Sequence, residues 1–325
     1  MRKNVVNALG AIVGVVFAAC SEKAGLEEAM SSDMVALEIS VPIAHTKVTA
    51  AADETSISNY QVFVYDASDH LEAYVNQNSS SISLECTVGT KTVVVLCNAP
   101  AIEEVTTLSD MMKLKSSLSD NEIGSFVMSG RVSSVITTSS TEVTVPVSRL
   151  VSKVRLSKLE TEFEIPQYQS MPFKVSSVYL INVPADKYYI TTGSVTEWYN
   201  KTKYDSSDDN SLLFDGMGDM LVTSSASYDK KNTFYCYPNP ESNDNFSSTW
   251  SPRHTRLVVE ALLGDTRYYY PVTLPEIESN KIYDVNLKIT RPGSSLPDIE
   301  VDKFAVGFTV QVKDWEIGAS VSEEI

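Results

Sequence analysis

The run MVALEISVPI, residues 34–43, alternates strictly: Val35, Leu37, Ile39, Val41 and Ile43 fall on one side, and Ala36, Glu38, Ser40 and Pro42 on the other. A period of two predicts a strand with one strongly apolar face. The stretch AHTKVTAAADETS that follows has no periodicity and only Val48 as a sizeable apolar residue, which predicts an exposed loop over 44–58. From Tyr60 onward strand signals are dense. YQVFVYD and LEAYVN flank Asp66-Ala67-Ser68-Asp69, and SISLECTV and KTVVVLC flank Gly89-Thr90, so each pair predicts a hairpin. TLSDMMKLKSSLSDNE predicts one helix, with Ser109 or Asp110 as its cap, before SFVMSGRV and TEVTVPV return to strand. This half reads as a β-sandwich with a small helical insertion.

SRLVSKVRLSKLETEF predicts a linking strand with a cationic outer edge of Arg149, Lys153, Arg155 and Lys158. FKVSSVYLINV, KYYITTG, NTFYCYPNP, TRLVVEALLG, RYYYPVTL and KIYDVNLKI continue in the same style, with Asp- and Ser-rich loops at 205–210 and 241–248. The last segment, FAVGFTVQVKDW, alternates again, with Phe304, Val306, Phe308, Val310 and Val312 on one face. A boundary near Ser148 divides the chain into an N-terminal domain, 34–148, and a C-terminal one, 149–325. The whole is predicted to be all-β.

The first twenty residues follow a different pattern. Arg2 and Lys3 precede an uncharged apolar run from Val5 to Ala19, too short to span a membrane and of the length of a secretory signal. Ala18 and Ala19 stand directly before Cys20, as in a bacterial lipoprotein signal cut ahead of an acylated cysteine. Residues 1–19 are then the signal and 20–33 a polar tether. An ordinary signal cut near Ala19 and a buried N-terminal helix are the other two readings.

The formal net charge of −16 repels phosphate backbones, which argues against nucleic acid as a partner. Cysteines stand at 20, 86, 97 and 236. In the expected Gly89-Thr90 hairpin, Cys86 would face Val93 and Cys97 would face Ile82, out of register for a bridge, so buried reduced thiols are expected. His45, His70 and His254 have no metal-ligand spacing, and no nucleophile elbow or phosphate-binding glycine loop occurs. Asp205, Asp208, Asp209, Asp215 and Asp219 miss the spacing of a calcium loop, and the paired tyrosines read as packing rather than as a sugar platform. No cofactor, metal or catalytic residue is indicated.

The ordered series RLVSKVRL, VYLINV, FYCYPNP, TRLVVEALLG, YYYPVTL, NKIYDVNLKITRPGS and VQVKDW resembles the fimbrillin family of Bacteroidetes type V fimbriae. SISNYQVFVYDASDHLEAY, GTKTVVVLCNAP and FVMSG are similar to that family's N-terminal domain. The resemblance implies two transthyretin-like β-sandwich domains in tandem and export as a lipoprotein acylated at Cys20 to the outer membrane and cell surface. It also implies removal of the first strand by a trypsin-like protease, and polymerisation with other fimbrial subunits by donor-strand exchange. Lys47, followed by Val48, is the one basic residue of the loop, where shaft subunits of the family typically carry Arg. The groove-filling side chains would be Val35, Leu37, Ile39, Val41 and Ile43, and the donor strand 304–312 would offer Phe304, Val306, Phe308, Val310 and Val312. If Lys47 is spared, the chain instead resembles a lipid-anchored anchor or tip adhesin; a glycan-binding surface lipoprotein that does not polymerise is the rival outside the family.

Overall fold

The structure, a computed structural model, describes residues 33–44, 54–208, 211–223, 228, 230–242, 249–299, 301 and 306–315. The first strands are β1 (Met34–Ser40), β2 (Tyr60–Tyr65), β3 (Leu71–Gln77), β4 (Ile82–Thr87) and β5 (Gly89–Cys97). A helical turn α1 (Leu108–Met111) leads through β6 (Lys115–Ser117) to β7 (Met128–Ile136), β8 (Glu142–Thr144) and β9 (Ser148–Arg149). Two sheets result, one ordered β3-β2-β5-β7-β9 and one ordered β4-β1-β8. Between them lies a core of Leu37, Ile39, Val62, Val64, Val93, Val95 and Val143. The alternate residues Phe63, Tyr65, Val94 and Leu96 face the other way, into a larger core shared with the second half. Covering of both faces explains why Val62–Tyr65 of β2 and Val93–Cys97 of β5 are continuous apolar runs.

The second half follows with β10 (Ser152–Thr161), α2 (Pro166–Gln169), β11 (Phe173–Ile181), β12 (Val183–Pro184), β13 (Asp186–Tyr188) and β14 (Trp198–Tyr199). It ends with β15 (Phe214–Val222), β16 (Asn232–Cys236), β17 (Arg256–Leu263), β18 (Thr266–Thr273), β19 (Lys281–Ile289) and β20 (Val306–Asp314). Two four-stranded sheets, β16-β10-β19-β20 and β15-β11-β17-β18, enclose the larger core. The small sheets β12-β14 and β13-β6 complete an almost entirely β molecule, and β13-β6 ties the two halves together.

Four expectations are corrected. The Asp66 carboxylate accepts from Ser68 and His70 backbone N–H groups and closes the β2–β3 hairpin as expected, but β4 and β5 do not pair. β4 lies against β1, while β5 lies between β2 and β7, so the chain crosses from one sheet to the other at Val88. Alternation fixes the face of a strand and not its neighbour. The expected helix is a single turn capped by Thr107 rather than Ser109 or Asp110, because pairing with β13 draws Lys115–Ser117 into strand. β10 is a central strand, and its cations are paired: Arg155 bonds Asp284 through two nitrogens at 2.6 and 2.8 Å, Lys153 meets Glu54 and Lys158 meets Glu160, while Arg149 on β9 is fully buried. No basic edge is formed there. Finally, the stretch carrying Asp215 and Asp219, for which no strand is predicted, is β15, whose positive-φ pair Gly218 and Asp219 sits where its register with β11 shifts.

Candidate functional site

β1 occupies the middle of its sheet. It runs antiparallel to β4, with Val35 opposite Cys86 and Ile39 opposite Ile82, and parallel to β8. The parallel ladder extends past the strand: Val145 N–H donates to the Ser40 carbonyl at 2.8 Å, Val147 N–H to Pro42 at 2.9 Å, and Ala44 N–H to Val147 at 2.7 Å. Leu37 is 0% exposed and Ile39 4% exposed, whereas Val35, Val41 and Ile43 are half-buried against the same core. The five side chains thus fill two deep central seats and three shallow ones. The opposite side of the strand, with Ala36, Glu38 and Ser40, is exposed.

At the other end of the chain, β20 is an edge strand, paired along its length with β19 only. Val306 is buried and Val310 half-buried, but Phe308 and Val312 on the same face are 45% and 47% exposed. Beside Phe308 an apolar groove of about 730 Å3, lined by Pro271, Thr273 and Leu274 as well as Val306 and Val310, leaves that side of the sandwich open. Half of the alternating face of β20 therefore contributes little to its own core. Cys20, Lys47, Val48 and Phe304 lie outside the described residues.

Glu54, the first described residue after the 45–53 segment, carries a contact set that sequence reasoning missed. Its carboxylate accepts from Lys153 on β10, from the Tyr235 hydroxyl on β16 at 2.8 Å, and from the Trp315 indole N–H, next after β20, at 3.2 Å. Its carbonyl accepts from Arg149 Nε at 2.8 Å, and the guanidinium lies 4.6 Å over the Trp315 ring. Burial alone would raise the Glu54 carboxyl, but the hydrogen bonds and charge of Lys153, aided by Tyr235 and Trp315, hold it below its ordinary range. The end of the β1 loop, the centre of one sheet and the end of the last strand are thereby fastened at one carboxylate. Only the position of Trp315 directly after an alternating run hinted at an anchor there.

The remaining candidates are occupied structurally. Asp205 caps its own turn through Ser207, Asp208 accepts from Asn200 N–H at 2.7 Å, Asp215 accepts from Asn232 at 2.5 Å, and Asp219 accepts from Ser176 at 2.6 Å. Asp209 lies outside the described residues. Among the described residues no group of His, Cys, Asp and Glu is placed to hold a metal ion. Of the paired tyrosines, Tyr189 and Tyr270 are buried and Tyr188, Tyr268 and Tyr269 half-buried. Cys86, Cys97 and Cys236 are buried and unbridged, as expected.

Residues 37–161 match the family model of the major fimbrial subunit protein (FimA). Solved structures with the same fold include a Bacteroides eggerthii protein named for cell adhesion, 20% identical, with TM-score 0.65 over 88% of this chain and 98% of that one. A fimbrilin of Porphyromonas gingivalis is 16% identical, with TM-score 0.61 over 87% and 99% of the two chains. The tip fimbrial protein Mfa3 of the same organism, with a C-terminal truncation, is 13% identical, with TM-score 0.53 over 87% and 100%. No curated protein matches. The resemblance read from the sequence is thus shown as a family pattern in the first half and a shared fold along most of the chain.

Proposed function

We propose that this chain, which carries the fimbrial subunit pattern over residues 37–161, is a structural subunit of a cell-surface fimbria that polymerises by donor-strand exchange. The observation that carries the reading is the seat of β1: a central strand with two fully enclosed side chains, joined to the rest of its domain only through the loop that contains Lys47. Cutting after Lys47 would make Val48 the new N-terminus and leave β1 held by non-covalent contacts alone. Its departure would open two sheet edges and five seats; at about 25 cal/mol per Å2, and roughly 100 Å2 or more per side chain, refilling them is worth ~10 kcal/mol before ordering costs. A gap of that kind takes up a strand by β-addition.

The donor is β20 with Phe304 ahead of it, an edge strand whose exposed Phe308 and Val312 it can part with cheaply. On this reading the chain divides near Ser148 into two transthyretin-like sandwich domains. Cys20 is the acylated first residue of the exported protein and tethers it to the outer membrane until the first strand is lost.

The test uses soluble protein beginning at Ser21. Native trypsin treatment should cut after Lys47 and yield detergent-resistant ladders. Phe308→Asp with Val312→Asp should abolish the ladders while cleavage stays unchanged and the unfolding midpoint falls only modestly, since both side chains are half exposed. Ladders that persist in that double variant would rule out β20 as donor. A cut chain that never associates would overturn strand exchange, and a chain resistant at Lys47 would point to the uncleaved anchor or tip subunit.

A further inference from the structure

Where the five-stranded sheet meets the second half, a cleft of about 590 Å3 opens between β7 and the segment following β13. Its lining includes Arg131, Arg149 and Lys187 and not one carboxylate, in a chain with 42 acidic and 26 basic residues. The neighbouring acids are already engaged. Asp186 accepts from Lys115 at 2.9 Å and from Thr196, Asp120 from Ser116 Oγ at 3.0 Å and the Ser117 N–H at 2.8 Å, and Glu54 from Lys153. Arg131 and Lys187 have no ion-pair partner among the described residues, and Nη2 of the buried Arg149 has no hydrogen-bond partner. Strand alternation places these cations. Asp186 and Tyr188 both engage Lys115, so Lys187 between them projects to the opposite side. Ser129 Oγ donates to the Tyr189 carbonyl and Arg131, two residues on, shares its face. Burial lowers the Lys187 ammonium from its ordinary range with no nearby anion to offset it.

The rest of the lining is matched to a hydroxylated molecule. Ser148 and Thr192 contribute hydroxyls without a protein partner among the described residues, and Leu150 and Ile190 provide an apolar wall. The volume lies within the usual range of small-ligand sites.

We propose that this cleft binds an acidic sugar, with Arg131 and Lys187 pairing with its carboxylate, Ser148 and Thr192 bonding its hydroxyls, and Leu150 and Ile190 covering a C–H face of the ring. The site is complete in one subunit and does not rest on polymerisation, so it can stand or fall independently of strand exchange. The test is calorimetric titration of the soluble chain from Ser21 with glucuronate, N-acetylneuraminate, glucose, acetate and sulfate. Saturable binding is expected for at least one of the two acidic sugars, with glucose, acetate and sulfate each at least about tenfold weaker. Arg131→Gln and Lys187→Gln should each weaken that sugar about tenfold at an unchanged unfolding midpoint. Glucose binding as well as the acidic sugars would overturn the role of the cations. Acetate or sulfate binding as well would reduce the site to a small-anion cleft and overturn the sugar assignment. No binding by either acidic sugar, or affinities unmoved in both variants, would overturn the site.

Discussion

Leu37→Ala tests whether β1 is held by its side chains or by its backbone ladder. Leu37 is fully enclosed between the two sheets, among Val62, Val64, Val93 and Val95. Truncation removes three carbons, worth about 0.8 kcal/mol each on transfer, and leaves a cavity walled by two hydrogen-bonded sheets that cannot collapse, for a total of ~3 kcal/mol. Both backbone ladders survive the change. Glu38→Ala, one residue away on the exposed face and equally neutral to the ladders, should cost less than about 0.5 kcal/mol. The assay places a specific protease sequence within 45–53, cuts it, and follows displacement of the β1 fragment by a fluorescent peptide of residues 33–44. Affinity of the fragment should fall about 150-fold for Leu37→Ala and stay within about twofold for Glu38→Ala. If the two variants release the fragment alike, side-chain seating does not hold the strand and the groove argument fails.

Glu54→Gln should destabilise the protein by ~3 kcal/mol, because it leaves the ammonium of Lys153 buried without its counter-charge. Since the folded Glu54 carboxyl lies below its ordinary value of 4.5, its contribution is complete above that pH and is lost as pH falls through the folded value. Urea unfolding between pH 3 and 7 should therefore show a shallower acid limb in the variant, and parallel limbs would refute the assignment. Burial pushes the thiols of Cys97 and Cys236 up to about 12 and raises that of Cys86, so native protein from Ser21 should not react with a thiol reagent at pH 8. Cys86 faces Val35 across the β1–β4 ladder. Cys86 and Cys97 belong to the core that β1 covers and Cys236 to the other one, so release of β1 should open the first core to labelling while Cys236 stays protected; labelling of all three would mean that the protein unfolds rather than exchanging a strand.

What could be read in advance follows from which interactions are local. The alternation of residues 35–43 places Leu37 and Ile39 on the core side because a strand's faces are fixed by parity alone. The β2–β3 hairpin was equally legible, since Asp66 closes its turn with its own neighbours. The partner of β5 was not: SISLECTV and KTVVVLC satisfy a hairpin and a crossing between sheets equally well, and only the burial of both faces of Val93–Cys97 distinguishes them. The Glu54 cluster lay beyond reach for a different reason. Its partners are 99, 181 and 261 residues away in sequence, and Glu54 itself sits in a stretch without periodicity. Arg149 misled because charge normally marks a surface, whereas here a carbonyl, an amide oxygen and an indole face accept its guanidinium in the interior.

The position of β1 between β4 and β8 also constrains what could replace it. Because one neighbour is antiparallel and the other parallel, its loss would leave two unpaired edges facing each other, and a replacement in either direction would meet one of each kind. Hydrogen bonding therefore does not choose the direction or register of an incoming strand; the seats must. The two deep seats are shaped by Leu37 and Ile39, and forcing a ring into either would carry an overpacking cost of about 1–3 kcal/mol. Along β20 that argues for Val310 and Val312 in the deep seats, with Phe308 at a rim where Val41 or Val35 is only half-buried. In the direction of β1 such a register carries Asp314 to the half-buried seat of Val41 and leaves Val306 beyond Val35, whereas in the reverse direction Val306 falls at the seat of Ile43 and Asp314 at the equally half-buried seat of Val35. The reversed strand, antiparallel to β8 and parallel to β4, is favoured because it seats four apolar side chains where the forward one seats three.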